Sequence, residues 1–254
     1  MAAATHTMAD LHIHLIPGVD DGAEDMMMAL MMLLRAWDQG VREVFVTPHS
    51  SAFDEDPEKT KAGYRELVEQ AKRNFPELKL FPGCEVYCEA YRMDQVIQAL
   101  NCGLYPTMNG TGYVLMEFSR WVMPELTLPC VEALVKAGYI PIIAHMERYE
   151  YLQNHMNLVD RFLERGALLQ VNAYSLRDEL DEGIRNWARK LVLEQKVSFL
   201  GTDAHRTYHR PPSAEPGLRW LYEAVPEEYA DAVARENARR LLMQEQEDTG
   251  SGSI

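Results

Sequence analysis

The sequence predicts an α/β fold in which parallel strands close into a barrel, and two observations support this. Short apolar segments rich in β-branched residues alternate with longer segments of helical periodicity along most of the 254 residues. This alternation is typical of βαβ units. Seven such units are too many for a small open sheet, and the chain has no G-x-G-x-x-G dinucleotide motif. We therefore expect a seven-stranded (β/α)7 relative of the TIM barrel, with chemistry at the carboxyl ends of its strands.

The strands and helices are predicted from this periodicity. Predicted strands occupy residues 9–15, 41–49, 78–85, 112–118, 139–145, 167–173 and 197–205. Predicted helices occupy residues 23–39, 57–74, 90–101, 125–137, 156–165, 181–195, 214–224 and 227–244. Gly40 is well placed to end the first helix, and Asp56-Pro57 supplies a cap and a first-turn proline for the second.

The chain is expected to form a single domain. No Gly-, Ser- or Pro-rich linker divides its middle, which favours one domain over residues 9–245 with flexible termini at 1–8 and 246–254. The longest apolar run, Met26 to Leu34, is nine residues long, whereas a membrane span needs about 20. We interpret its methionines as flexible core packing. The absence of a secretory pattern or a cysteine framework favours a cytoplasmic protein with reduced thiols.

The charge balance argues against nucleic acid as a partner. The chain has 25 Lys and Arg residues against 39 Asp and Glu residues, a formal net charge of −14. Such a surface repels phosphate backbones.

Histidines and carboxylates lie at the ends of six of the seven predicted strands. They are His12, His14, His49, Glu85, Glu117, His145, Asp203 and His205. Because side chains alternate along a strand, His12 and His14 should share one face, with Leu11 and Ile13 on the other. Imidazoles and carboxylates without thiolates suit zinc, manganese or iron. The alternative, a buried polar cluster without metal, would leave charges that cost several kcal/mol each.

The segment Asp20-Asp21-Gly22 follows the first predicted strand. Its acids are suited to the positive end of the dipole of the following helix. The loop can also bring one carboxylate, Asp21 or Asp20, over the strand ends as a further metal ligand.

Two arginines follow strand-end histidines, which indicates an anionic substrate. Arg148 comes three residues after His145, and Arg210 five residues after His205. A planar guanidinium binds phosphate through two parallel hydrogen bonds. Pairing of these arginines with nearby acids is the alternative. The chain has no C-x5-R loop, G-x-S-x-G elbow or Walker motif, so metal-activated water is the expected nucleophile.

These motifs resemble the PHP (polymerase and histidinol phosphatase) superfamily. The resemblance rests on D-L-H-I-H, V-D-D-G, T-P-H, G-C-E, H-x-E-R-Y and T-D-A-H followed by R-P-P, in this order between about residues 9 and 245. Within the superfamily, the chain is similar to the bacterial manganese-dependent protein-tyrosine phosphatases of capsule and exopolysaccharide synthesis. One departure is Met146, where that branch commonly has proline after the histidine.

The resemblance implies a distorted seven-stranded barrel with three divalent metals, manganese above all, with iron or zinc as alternatives. The implied ligand sets are His12, His14, Glu85 and Asp203; Glu85, Glu117 and His145; and Asp21 (or Asp20), His49 and His205. Arg148 and Arg210 match the phosphate-binding arginines of the branch, and a metal-bridging hydroxide would be the nucleophile.

The expected activity is hydrolysis of phosphotyrosine in a partner protein. A bacterial tyrosine kinase is a candidate partner by resemblance, and the oligomeric state is left open. The alternatives are a small-molecule phosphatase of the histidinol-phosphate or nucleotide type and a non-catalytic metal-binding module.

Overall fold

Parallel strands form the centre of the fold. The computed structural model describes residues 6–153, 155–178 and 182–242. Its strands are β1 (Met8–Ile13), β2 (Val41–Val46), β3 (Lys79–Pro82), β4 (Glu85–Cys88), β5 (Tyr113–Phe118), β6 (Ile140–Ile143), β7 (Leu168–Asn172) and β8 (Phe199–Gly201). Every pair of neighbouring strands is parallel, which confirms the predicted α/β class.

The strands form two sheets, of orders β1-β2-β3 and β4-β5-β6-β7-β8, rather than one closed sheet. The prediction of seven strands is therefore wrong in number, because the predicted strand 78–85 is interrupted after Pro82. The chain nevertheless continues beside β2. Gly83 N donates to the Val46 carbonyl, and Glu85 N donates to the Pro48 carbonyl, both at 3.0 Å.

Two isolated bridges connect the sheets, between Ile13 and Ala204 and between His49 and Glu85. Next to the first bridge, His14 N donates to the Ala204 carbonyl at 3.0 Å and Asp203 N to the His12 carbonyl at 2.6 Å. The bridges place the ends of β1, β2 and β8 and the start of β4 side by side. Six predicted ligands therefore lie on neighbouring segments that these bridges join: His12, His14, His49, Glu85, Asp203 and His205.

The helices agree with the sequence except at α2 and near the carboxyl end. They are α1 (Met26–Asp38), α2 (Ser50–Glu55), α3 (Pro57–Asn74), α4 (Met93–Asn101), α5 (Thr127–Lys136), α6 (Met156–Glu164), α7 (Glu182–Leu193), α8 (Glu215–Ala224) and α9 (Glu227–Asp231). Helix α2 was not predicted. The predicted helix 227–244 is α-helical only to Asp231 and continues as a π turn (Ala232–Glu236) and a 3-10 turn (Asn237–Leu241).

The chain termini differ slightly from the prediction. Met8 is already part of β1 and is buried, because it packs in the core and its N–H donates to the Gly40 carbonyl at 3.0 Å. The terminal segments 1–5 and 243–254 lie outside the described residues, as do the last two residues of the predicted helix 227–244.

The core has two parts, and β1 contributes to both. Leu11 belongs to the smaller cluster with Phe45, Leu115 and others, whereas Ile13 packs in the larger cluster with the helices. The prediction that Leu11 and Ile13 share a face is therefore wrong. Strand β1 advances from Asp10 to Ile13 while β2 advances only from Val44 to Val46, and such a bulge breaks the alternation of side chains.

The methionine-rich helix α1 only partly fits the interpretation as core packing. Met32 is fully buried and Met28 packs against the core. Met27 and Met31 are 67% and 45% exposed. No described helix combines the length and apolar character needed to cross a membrane. All four cysteines are free, and only Cys102 is exposed.

Gly217 provides a test of how α8 is held against the end of β7. A Cβ atom at this position would lie 1.9 Å from the Ala173 carbonyl oxygen. We expect Gly217→Ala to lower the free energy of unfolding by about 1–3 kcal/mol, because α8 or the backbone at Ala173 must move. Gly112→Ala is the control, since its Cβ would meet only one atom, at 4.0 Å. Equal stability of the two variants in chemical denaturation would contradict this packing.

Candidate metal centre

All nine predicted metal ligands lie in one cluster. Four overlapping groups have ligand atoms within 4.8 Å of one another: His14, Asp21, His49 and His205; His12, Glu85 and His145; His12, His14 and Asp203; and His49, Glu85 and Glu117. Because the groups share His12, His14, His49 and Glu85, the cluster is continuous. A set of imidazoles and carboxylates this dense is suited to more than one divalent cation.

Glu85 is at the centre of the cluster and is 1% exposed. Its Oε2 atom lies 3.2 Å from His12 Nε2, 3.4 Å from His14 Nε2 and 2.9 Å from His49 Nδ1. None of these contacts has the geometry of a hydrogen bond, so Oε2 is a buried carboxylate oxygen without a donor. Such an atom is costly unless a cation satisfies it, and the residues therefore fit a metal.

The second oxygen of Glu85 faces His145. His145 Nε2 lies 2.9 Å from Glu85 Oε1 and 3.4 Å from Glu117 Oε1. Asp203 Oδ1 lies 3.6 Å from the Nε2 atoms of both His12 and His14. Glu85 thus has imidazoles against both of its oxygens.

The structure separates the roles of Asp20 and Asp21. Asp21, with a side chain 63% exposed, points its Oδ1 at His49 Nε2 (3.3 Å) and His205 Nε2 (3.2 Å). The buried Asp20 faces the outer nitrogen of His14 at 2.9 Å and accepts a hydrogen bond from His49 N at 3.1 Å. Asp21 therefore faces two other candidate ligands, whereas Asp20 contacts the outer nitrogen of His14 and leaves its Nε2 facing the cluster.

Gly22 permits the close approach of this loop to β1. A Cβ atom at Gly22 would lie 2.5 Å from both the Cβ and the carbonyl oxygen of His14. Gly22 N also donates to Asp20 Oδ1 at 3.0 Å. The D-D-G motif therefore combines a carboxylate that orients His14, a carboxylate that faces the cluster, and a residue with no side chain.

Two polar residues of β7 support the cluster and were not predicted. Gln170 Oε1 accepts from His145 N at 2.7 Å and lies 3.3 Å from His12 Nδ1, which directs His12 Nε2 towards Glu85. Gln170 Nε2 donates to Asn172 Oδ1 at 3.0 Å. The sequence contains a signal for them, because two polar residues spaced by two interrupt an apolar strand.

The two predicted phosphate-binding arginines are both at the cluster, where they contact the same oxygen. Arg148 and Arg210 each form an ion pair with Asp203 Oδ2. Arg148 also donates to Tyr174 Oη at 2.8 Å, and Arg210 Nη1 lies 3.1 Å from His205 Nε2. The pairing with an acid that was the alternative for these arginines is thus present, and the acid is itself a predicted ligand.

The backbone at these residues has unusual conformations. His145, Asp203 and Arg210 have φ values of 31°, 50° and 50°. Side chains other than glycine rarely adopt positive φ, and such strain concentrates at functional sites. After His145, the chain forms a 3-10 turn in which Met146 is buried. Buried Glu147 accepts from Asn172 N at 3.2 Å, so the turn that carries Arg148 is fastened to β7.

Opposite charges shift the titration of the cluster. Burial lowers the pKa of His49, but contacts with Asp21 and Glu85 outweigh it and raise the pKa to about 10. Burial also lowers the pKa of His145, but contacts with Glu117 and Glu85 outweigh it and raise this pKa to about 9. Burial and the neighbouring His14 lower the pKa of His205 to about 4. A cation would have to displace protons from His49 and His145, because metals bind neutral imidazole.

The two aspartates allow a direct test of this geometry. We expect Asp21→Asn to remove metal from the protein because it removes a ligand. Asp20→Asn should weaken metal affinity about 10–100-fold by misorienting His14. In metal-free protein Asp20→Asn should lower the melting temperature more than Asp21→Asn does, since the Asp20 side chain is 2% exposed and that of Asp21 is 63% exposed. Competition with a chelator and calorimetry give the two readouts, with Asp38→Asn at the exposed last residue of α1 as control. A reversed pattern would exchange the two roles.

Comparison with known proteins identifies a family. A family model described as capsular polysaccharide synthesis, CpsB/CapC, matches residues 8–243. A CapC protein of Staphylococcus aureus is 31% identical over 80% of this chain and 79% of its own length. The tyrosine-protein phosphatase CpsB of Streptococcus pneumoniae is 27% identical over 93% and 98%, and the tyrosine-protein phosphatase YwqE of Bacillus subtilis is 28% identical over 92% and 91%.

Solved structures agree with the sequence relatives. A crystal structure from work on YwqE of Bacillus subtilis and CpsB of Streptococcus pneumoniae, described as metal-dependent tyrosine phosphatases, has a TM-score of 0.84 and 26% identity, covering 93% of this chain and 95% of its own. A β-aspartyl dipeptidase of Fervidobacterium islandicum has a TM-score of 0.55 at 12% identity, over 92% of this chain and 72% of its own, and shows only the fold. The predicted resemblance is confirmed: the chain belongs to the CpsB/CapC family of capsular polysaccharide synthesis.

Proposed function

We propose that this chain is a metal-dependent protein-tyrosine phosphatase that hydrolyses phosphate monoesters at the centre described above. The observation that carries the proposal is the Glu85 Oε2 atom, buried among three imidazole nitrogens, with two guanidinium groups directed at neighbouring Asp203. This combination offers a place for cations and a place for a phosphate beside them. The relatives named tyrosine-protein phosphatases support the choice of substrate.

The proposal includes three divalent ions, manganese above iron or zinc, held by the nine residues of the cluster. Asp21 is preferred to Asp20 as the ligand of the third set. His14 belongs to the first implied ligand set. Its ligand atom also lies within 4.8 Å of those of the third set, Asp21, His49 and His205. Bound cations would activate water and neutralise phosphate charge.

The protein side chains contribute orientation and charge. Arg148 and Arg210 would bind the non-bridging phosphate oxygens and stabilise the charge that develops during hydrolysis. Arg148 is suited to this role because its side chain is 8% exposed and is positioned by Tyr174. Asp203 is the carboxylate that both arginines contact, so substrate phosphate and Asp203 would share the same two guanidinium groups.

Four further features belong to the proposal. The bridges between the two sheets support the family's barrel as the underlying architecture. We infer one metallophosphatase domain over residues 9–245. A cytoplasmic location and a tyrosine kinase as the phosphorylated partner stay predictions from the sequence and its resemblance.

A small-molecule phosphatase of the histidinol-phosphate or nucleotide type would use the same metal centre. A direct comparison separates the two. The metal-loaded protein should hydrolyse phosphotyrosine peptides with a higher kcat/KM than histidinol phosphate or nucleoside monophosphates, and full chelation should abolish all turnover. Activity that survives chelation would exclude the metal mechanism, and bound metal without turnover of any of these esters would indicate a non-catalytic binding module.

The arginines provide a separate test. We expect Arg148→Ala and Arg210→Ala to reduce kcat/KM about 100-fold or more, as for other groups that stabilise transition-state charge, while the metal content is retained. His12→Ala should lose metal and activity together. Arg165→Ala is the control, because Arg165 is 45% exposed and pairs with Glu132 away from the site. Unchanged kcat/KM in both arginine variants would refute their phosphate-binding role.

A further inference from the structure

A cavity of about 230 Å³ lies beside the metal centre, on the side of β4 and α4. Two candidate ligands, His49 and Glu117, are among its lining residues. The rest of its wall combines Tyr87, Tyr105 and Val96 with the polar residues Ser50, Ser51, Asp54, Arg92 and Gln95. The cavity is thus continuous with the cluster, and the arginines directed at Asp203 are not among its lining residues. If the phosphate of an ester is held between cations and the two arginines, the organic group of that ester would lie in this cavity.

The sheet register places Tyr87 next to the reacting centre. Tyr87 follows Glu85 by two residues on β4, so both side chains project from the same face. In the parallel register of β4 and β5, Tyr87 is paired with Glu117. The Tyr87 ring is therefore a neighbour of one candidate ligand within its strand and of another across the sheet.

Local contacts hold Tyr87 in this position. Its N–H donates to Ser50 Oγ at 3.3 Å, which fastens β4 to the start of α2. Its hydroxyl donates to Glu89 Oε1 at 3.4 Å. The ring is partly exposed and lines the cavity, so it presents an aromatic face that nothing else on β4 supplies.

Building on the proposed function, we propose that this cavity is the subsite for the aromatic ring of the phosphotyrosine, and that Tyr87 is the residue that recognises it. Aromatic rings stack or meet edge to face, and such contacts add affinity beyond the buried area. Val96 and Tyr105 supply further apolar wall. An alkyl ester, such as that of phosphoserine, would leave the Tyr87 ring without a partner and gain less.

Tyr91 provides a matched control. Like Tyr87, it donates its hydroxyl to Glu89, at 2.6 Å to Oε2. Unlike Tyr87, it is 80% exposed and is not part of the cavity wall. The two tyrosines share one hydrogen-bond partner and differ in access to the subsite. Tyr91→Ala therefore tests whether the loss of any nearby aromatic ring is sufficient to weaken the binding of an aromatic ligand.

The test measures binding of non-hydrolysable ligands to the manganese-loaded protein by calorimetry. Phenylphosphonate carries the ring, and methylphosphonate carries only the anionic group. We expect the wild-type protein to bind phenylphosphonate about tenfold more tightly. Tyr87→Ala and Tyr87→Leu should remove this preference and leave methylphosphonate affinity unchanged. Tyr87→Phe and Tyr91→Ala should retain it.

Each contrary outcome overturns the subsite. The proposal fails if the wild-type protein does not prefer phenylphosphonate to methylphosphonate. It also fails if Tyr87→Ala and Tyr87→Leu keep this preference, or if Tyr87→Phe loses it. Equal losses for both ligands in the Ala and Leu variants also overturn it, because Tyr87 would then support the metal centre and not the ring. The readout requires no turnover, so a protein that prefers phenylphosphonate but does not hydrolyse phosphotyrosine peptides would refute the proposed function and not the subsite.

Discussion

The Glu85 carboxylate is buried among His12, His14, His49 and His145, and the rest of the site is arranged around this interaction. A carboxylate removed from water is unfavourable unless positive charge surrounds it. In this chain the charge comes from imidazoles whose pKa values are raised, as at His49 and His145. The same imidazoles would be neutral ligands if a cation replaced their protons.

The scaffold satisfies this constraint by bringing distant segments into bonded contact. The bridge between His49 and Glu85 joins two sheets at the centre itself, and the bridge between Ile13 and Ala204 does so beside it. Asp10 strengthens the second junction, since its buried carboxylate accepts from Thr202 N at 2.8 Å and from the Thr202 hydroxyl at 2.6 Å. Positive φ at His145 and Asp203 is the conformational cost of aiming these side chains inward.

Part of the acidic composition belongs to this site and not to the surface. Several of the acids that contribute to the formal charge of −14 lie inside the protein, where histidines and arginines surround them. Asp203 is 1% exposed and has two guanidinium groups on one oxygen. The site is therefore a local concentration of cationic groups within an anionic molecule, which is suited to a single phosphate group and unsuited to a long polyanion.

The sequence by itself determined the α/β class, the positions of most helices and which side chains meet, because strand ends in parallel βαβ units lie on one edge. It did not determine the break after Pro82 or the β1 bulge that separates Leu11 from Ile13, since strand pairing decides both. Only tertiary structure distinguished Asp20 from Asp21 and revealed Gln170. Gln170 contacts His12 across 158 positions of the chain, a distance that local sequence does not contain. Asp20 and Asp21 are neighbours in sequence, and the folded conformation of their loop decides that Asp20 contacts His14 while Asp21 contacts His49 and His205.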